Sequence, residues 1–337
     1  MALPLSVQNT YQDLVAAHLQ CAVAEIPGTP FRREVAGRGY WYVTRRIGDR
    51  VSQRYLGPDS AEMRERIARA KDTQEEEKAF RVRCSIMVAQ LRAAGLPRLD
   101  QATGKVLNAM ARVGMFRLGG TLVGTHAFRL YAAELGTLFP GLLTATDDID
   151  IAQFENLKLV IDDHVDPSLP ETFNDLALSP APTIDPKNRP TRWRMPGGGT
   201  MVEFLTPRMI DRQGIVKLES LGVWAQGLHF LNFLIADPTP AVALYREGVL
   251  VQIPRPERYA IHKLIVAQRR TGPHRAKARK DLDQAEALIR VLAEHHPFAL
   301  LDAYEAARAK GPAWDNAIGR SLKQRPEIGG MIDAIGA

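Results

Sequence analysis

The stretch MFRLGGTLVGTHAFRLYAAELG, residues 115–136, followed by LLTATDDIDIAQF, residues 142–154, decides how the rest of the chain is read. Met115 to Leu118 is predicted as a short strand, Gly119-Gly120 as a tight turn with its backbone open to a ligand, and Thr121 to Leu135 as an amphipathic helix. A strand, a glycine turn and a helix in that order leave amides at a helix N-terminus facing phosphate oxygens, with the Thr121 hydroxyl beside them. In Asp148-Ile149-Asp150, strand geometry sends side chains i and i+2 to one face, so two carboxylates stand side by side. A divalent cation between them relieves their repulsion, and oxygen-only ligation suits magnesium or manganese. Asp147 is expected to face away or to cap the turn.

A third carboxylate lies in GGGTMVEFLTPRM, residues 197–209, where Met201 to Leu205 reads as an apolar strand with Glu203 in its middle. One reading makes Glu203 an edge-strand residue pointing to solvent. The other follows from the cost of an isolated acid in a buried strand: in the same segment as the paired aspartates, Glu203 is the third ligand of a two-metal centre.

The order of apolar strand, Leu118-Gly119-Gly120-Thr121, helix, Asp148-Ile149-Asp150 and a later acidic strand resembles the DNA polymerase β-type nucleotidyltransferase superfamily. More narrowly, GGTLVGTHAF, TDDIDIA and VEFLTP, preceded by YWYVTRRIGDRVSQRYLGP at residues 40–58, resemble bacterial nucleotidyltransferase-fold proteins with an N-terminal β extension. The resemblance implies an α+β fold: a nucleotidyltransferase core of mixed twisted sheet with helices, flanked by a small N-terminal β-hairpin module and a C-terminal helical domain. It also implies that Asp148, Asp150 and Glu203 hold two magnesium (or manganese) ions and that Gly119, Gly120 and Thr121 bind the triphosphate of an NTP. The interval from Gly120 to Asp148 is longer than in compact members, a departure shared with the abortive-infection nucleotidyltransferase toxins. In the C-terminal segment, Lys263 in IPRPERYAIHKLIVAQRR, then Lys280, Asp281 and Asp283 in GPHRAKARKDLDQAEALI, are similar to the lysine and acid pattern of those toxins. A lysine reaching into the cleft neutralises phosphate charge, so Lys263 and Lys280 are candidate nucleotide contacts, while Asp281 and Asp283 can hold basic side chains in place. The plain alternative for this run is a solvated basic face, and Arg192 and Arg194 are further basic candidates.

Ahead of the core, Tyr11 to Ala24 reads as a helix, and residues 27–60 read as a hairpin or three-stranded sheet with a turn at Ile47-Gly48-Asp49-Arg50. Arg32, Arg33, Arg38, Arg45, Arg46, Arg50 and Arg54 face only Glu34 and Asp49 there, with aromatic residues between them. Such a sheet can lie on phosphates and bases, or can simply be an exposed sheet with an arginine-rich solvated face. Asp59 and Glu62 have capping-box spacing at the start of a long helix that ends at Gly95 and Pro97. The expected units are an N-terminal helix and basic hairpin over 1–58, a helical connector over 59–100, the catalytic core over 101–240 and a helical domain over 241–337.

The chain has 337 residues, with 44 Lys and Arg against 38 Asp and Glu and a formal charge of +6, which favours an anionic partner. Cys21 and Cys84 alone make neither a disulfide framework nor a zinc site. No run approaches the roughly 18 apolar residues of a membrane span, and the N-terminus has no signal-peptide pattern, so a cytoplasmic protein is expected. His126, His262 and His295-His296 lack metal-ligand spacing, and Walker and GxSxG motifs are absent. The sequence therefore predicts a magnesium-dependent enzyme moving an NMP from an NTP to a hydroxyl acceptor. RNA, including tRNA, is the preferred acceptor, met with DNA as the other nucleic acid through Arg45, Arg46 and the basic C-terminal helices. A toxin-type enzyme modifying tRNA or a protein, and a non-catalytic binding protein that retains the fold, stay open at this level.

Overall fold

The structure, a computed structural model, describes residues 1–20, 29–35, 37–47, 50–144, 146, 148–155, 165, 167–197, 199–208, 214–270, 272 and 275–336. The side chains of residues 45–47, 50, 52, 54, 69–74, 142 and 276 lie outside that description, as do Cys21, the Gly48-Asp49 turn, Asp147 and Gly198. Helix α1 (Leu5–Gln20) begins ahead of the expected Tyr11, because Pro4 starts its first turn and the Val7 amide donates to the Pro4 carbonyl at 3.0 Å. Strands β1 (Thr29–Val35), β2 (Arg38–Ile47) and β3 (Arg50–Pro58) form an antiparallel sheet in the order β1-β2-β3. Helix α2 (Ala61–Ala93) follows and, at about 1.5 Å per residue, runs about 50 Å. Its N-cap is Ser60, which accepts from the Met63 amide at 3.1 Å, and not the expected Asp59. Asp59 is instead claimed by Arg32 at 2.8 Å, Arg64 at 2.8 Å and the Trp41 indole at 3.0 Å.

The two ends of α2 belong to different cores. At its start, Met63 and Ile67 pack with Trp41, Val43 and Leu56 of the small sheet. Towards its end, Cys84, Val88 and Leu91 pack with Tyr11, Leu14 and Val15 of α1.

The central unit opens with α3 (Gln101–Arg112), capped by the Asp100 side chain. Next come β4 (Thr121–Val123), α4 (Gly124–Glu134), α5 (Gly141–Thr144), β5 (Asp148–Ala152) and α6 (Leu169–Asp175). The chain continues through β6 (Ser179–Pro180), β7 (Arg192–Arg194), β8 (Met201–Pro207), β9 (Ile215–Leu218) and β10 (Val223–Leu228). The sheet order is β4-β5-β8-β10-β9, with β7 also on β8 and β6 on β7; β5, β8 and β10 are parallel and the other pairs antiparallel. Alternation gives this mixed sheet a dry face, where Ile149, Ile151, Val202 and Phe204 are fully buried with Phe173 and Trp193 nearby. The opposite face carries Asp148, Asp150 and Glu203, all half-buried.

After α7 (Leu231–Leu234), the hairpin of β11 (Pro238–Ala243) and β12 (Val249–Pro254) packs on β4 and α3. The chain then turns wholly helical in α8 (Pro256–Ala267), α9 (Arg275–His295), α10 (Pro297–Arg308), α11 (Pro312–Gln324) and α12 (Pro326–Ile335). Proline near the start of four of these five supplies a fixed φ where an amide has no helical partner anyway. Among the described residues no helix is long and apolar enough to cross a membrane.

Candidate active site

Residues 113–119 form turns, not the expected strand, and the strand is Thr121–Val123 instead. The helix accordingly starts at Gly124, not at Thr121. The Gly119 amide donates to the Phe116 carbonyl at 3.2 Å and the Gly120 amide to the Met115 carbonyl at 3.0 Å, so both are spent inside the turn. Thr121 is 1% exposed, with its hydroxyl 3.4 Å from the Gly119 carbonyl. Gln153 anchors the same turn by donating to the Leu118 carbonyl. Gly119, Gly120 and Thr121 are thus bonded within the turn, at the end of β4 away from Asp148 and Asp150. The antiparallel register explains why: Thr121 lies opposite Ala152, whereas Val123 lies opposite Asp150. The end of β4 that meets the acids is Val123-Gly124.

Gly124 is the residue that the sequence pattern passed over. Its φ is +65°, and a Cβ there would sit 2.2 Å from Asp150 Oδ2. Glycine therefore lets a helix begin directly against a carboxylate. Helix α4 has no side-chain N-cap, which leaves its first amides without that partner. The legible signal was the apolar triplet Thr121-Leu122-Val123 running into Gly124-Thr125, a second strand-and-glycine pattern five residues after the first.

Asp150 and Glu203 are register partners across the parallel β5–β8 pair, and Asp148 lies opposite Met201. Burial pushes the Asp150 carboxyl up to about 7, the negative charges of Glu203 and Asp148 add to this, and Lys263 and Lys277 oppose it. Three acids thus share one face, where Glu203 and Asp148 disfavour the charged form of Asp150, and their oxygen-only chemistry suits a hard divalent cation. Among the described residues, however, no three His, Cys, Asp or Glu side chains are gathered into a metal-holding group. Glu203 is drawn aside by Arg192 of the neighbouring strand, whose Nε and Nη2 both lie 2.9 Å from Oε1.

Helices α8 and α9 close the other side. Tyr259 Oη lies 2.9 Å from the Gly124 carbonyl and 3.1 Å from Gln284 Oε1, and the Gln284 amide donates to the Leu143 carbonyl at 2.7 Å. Lys263 is 8% exposed; its Nζ donates to Asp281 Oδ1 at 2.6 Å and sits 5.2 Å from the Tyr259 ring centroid. Asp281 also accepts from Arg270 Nε at 2.8 Å, and these cations hold its carboxyl below the usual range despite burial. Partial burial, then the positive charge of Lys263, pulls the Lys280 ammonium down. His126, in the first turn of α4, is 1% exposed, and burial lowers it to about 4, so it is neutral at pH 7. Arg45 and Arg46 belong to β2 by backbone, and their side chains lie outside the described set.

A family model described as nucleotidyltransferase matches residues 101–309, from the start of α3 into the C-terminal helices. The chain belongs to this nucleotidyltransferase family. A second model, a domain of unknown function (DUF6788), matches residues 7–65, which hold most of α1, the three-stranded sheet and the start of α2. No curated protein matches the chain. The nucleotidyltransferase match contains the acidic face, Gly124 and the Lys263–Asp281 pair; the small sheet lies wholly in the other match.

Proposed function

We propose that the chain transfers an NMP from an NTP to an acceptor hydroxyl, with RNA the acceptor that its basic flanks favour. The observation that carries this is the placement of Asp148, Asp150 and Glu203 on one sheet face beside the uncapped first turn of α4, a close approach that Gly124 permits. Gly124 and Thr125 are the residues whose amides receive triphosphate oxygens, a role that shifts here from the Gly119-Gly120-Thr121 turn. Lys263, fixed by Asp281, and Lys280 place positive charge beside the phosphates. Asp148, Asp150 and Glu203 would hold magnesium or manganese, two ions in the fullest form of the reading, which when bound supply positive charge to the triphosphate and the acceptor. Tyr259 and Gln284 set the position of the Gly124 turn. The acceptor oxygen forms a bond to the α-phosphorus, and the bond from that phosphorus to the α,β-bridging oxygen breaks. Pyrophosphate leaves with the electron pair, and Glu203 takes the acceptor's proton.

Replacing Asp150 by Asn keeps the shape and removes the charge. Transfer of α-labelled nucleotide by Asp150→Asn should fall by about 10³-fold or more while the metal-free chain unfolds at a temperature no lower than the parent's. Undiminished transfer would show that the acidic face is not the site.

A further inference from the structure

The three-stranded sheet holds a feature that nucleotidyl transfer does not use. Its inner face, Trp41, Val43 and Leu56, is covered by Met63 and Ile67 of α2. On the outer face, register sets Phe31 opposite Tyr42, and Tyr42 opposite Tyr55. The rings form a continuous row: Phe31 and Tyr42 stack with centroids 5.7 Å apart, Tyr42 meets Tyr55 at 5.5 Å, and Tyr40 meets Tyr55 at 6.2 Å. Tyr55 is 51% exposed, and Val35 and Val51, at the two ends of the same face, are 48% and 53% exposed. Arg33 lies opposite Tyr40, Arg38 is two residues before it, and both are exposed on this side. A row of rings half-buried at Phe31, Tyr40 and Tyr42, exposed at Tyr55 and flanked by guanidinium groups is unusual on a surface with no binding role.

We infer that this outer face docks single-stranded RNA, with bases stacked on Phe31, Tyr40, Tyr42 and Tyr55 and phosphates met by Arg33 and Arg38. Aromatic faces accept any unpaired base, whereas a duplex keeps its bases stacked on one another and presents only its backbone. Arg33 and Arg38, which lie opposite Tyr40 and Val35, supply the complement to phosphate. Three of the four rings carry a phenol, which can exchange hydrogen bonds with ribose 2′-hydroxyls absent from DNA. The docking rests on the reading of the chain as a nucleotidyltransferase with an RNA acceptor, which it deepens. The long α2 then carries the docked strand on a module separate from the transferring core.

The test uses the full chain without NTP and a fluorescein-labelled 20-nucleotide RNA of mixed sequence, its RNA duplex and the corresponding DNA strand, read by anisotropy at two salt concentrations. Single-stranded RNA should bind at least tenfold more tightly than duplex, and more tightly than DNA. Replacing Tyr40 and Tyr55 by Ala should weaken it by roughly tenfold per ring, while replacement by Phe should retain most of the affinity. Arg33→Glu with Arg38→Glu should weaken binding and flatten its salt dependence, which covers the case in which the alanine variant loses the sheet. Equal binding of duplex or DNA, or full affinity in both the ring and the arginine variants, would overturn the inference, as would labelling of a protein with no RNA bound. Sheet variants should leave NTP binding to the core unchanged. RNA binding by the parent with no transfer of α-label would count against the transferase reading alone; transfer to RNA unaffected by ring loss would count against the docking face alone.

Discussion

Two of the sheets, the central one and the N-terminal one, present opposite electrostatic problems. The central sheet is buried on one face by Ile149, Ile151, Val202 and Phe204, and its other face gathers Asp148, Asp150 and Glu203. The N-terminal sheet is buried on one face by α2, and its other face gathers tyrosines and arginines. In both, period-two alternation separates a packing face from a chemical one. The charge set on the chemical face differs: negative charge is concentrated on the one, and positive charge is dispersed among rings on the other. The net charge of +6 hides this division.

The contrast is broken most sharply at glycine. Gly124→Val puts a branched side chain where even a Cβ would lie 2.2 Å from Asp150 Oδ2, and nucleotide transfer should fall by about 10²-fold or more. Gly119, at φ +86°, belongs to the scaffold, so Gly119→Ala should lower stability by roughly 1–2 kcal/mol while the folded fraction keeps its activity. Loss of transfer in the Gly119 variant with retention in the Gly124 variant would return the phosphate site to the first glycine pair.

The two cores should also separate. Ile67→Ala removes a central member of the small cluster with Val43, Trp41, Leu56 and Met63 and should cost about 2 kcal/mol locally. Hydrogen exchange should then accelerate in β1 to β3 with little change in β5 and β8. Uniform acceleration throughout would mean that the two sheets unfold as one unit.

The smallest effect concerns the joint between α1 and the core. Tyr11 Oη donates to Glu134 Oε1 at 2.5 Å and accepts from the Val242 amide at 3.1 Å. Burial raises the Glu134 carboxyl from 4.5 to about 7. Its stabilising contribution is complete below pH 4.5, where folded and unfolded chains are both protonated, and is lost as pH rises towards 7, because the unfolded chain ionises first. Relative to Glu134→Gln, the parent should therefore lose stability as pH rises from 4.5 to 7, read as a difference in the pH dependence of Tm. Parallel curves would contradict the assignment.

Much of the fold was legible because alternation and helix punctuation are local. Asp148-Ile149-Asp150 and Met201 to Leu205 read directly as strands, and the nucleotidyltransferase match confirms the class of fold that their order implied. The glycine turn was misplaced because two strand-and-glycine patterns, Leu118-Gly119 and Val123-Gly124, stand five residues apart. Only the β4–β5 register distinguishes the end that meets the acids. The Arg192 contact to Glu203 and the joining of Tyr259 to Gly124 span 11 and 135 residues, so neither leaves a local trace. The aromatic row was visible as composition, but its confinement to one face depends on pairing across three strands.

The most direct measurement incubates the full chain with magnesium, RNA and NTP labelled in parallel at the α- or the γ-phosphate. Nucleotidyl transfer predicts α-label on the acceptor and γ-label released in pyrophosphate, both abolished by Asp150→Asn. Transfer of γ-label to the acceptor, or release of γ-label as inorganic phosphate with no acceptor labelled, would contradict the account.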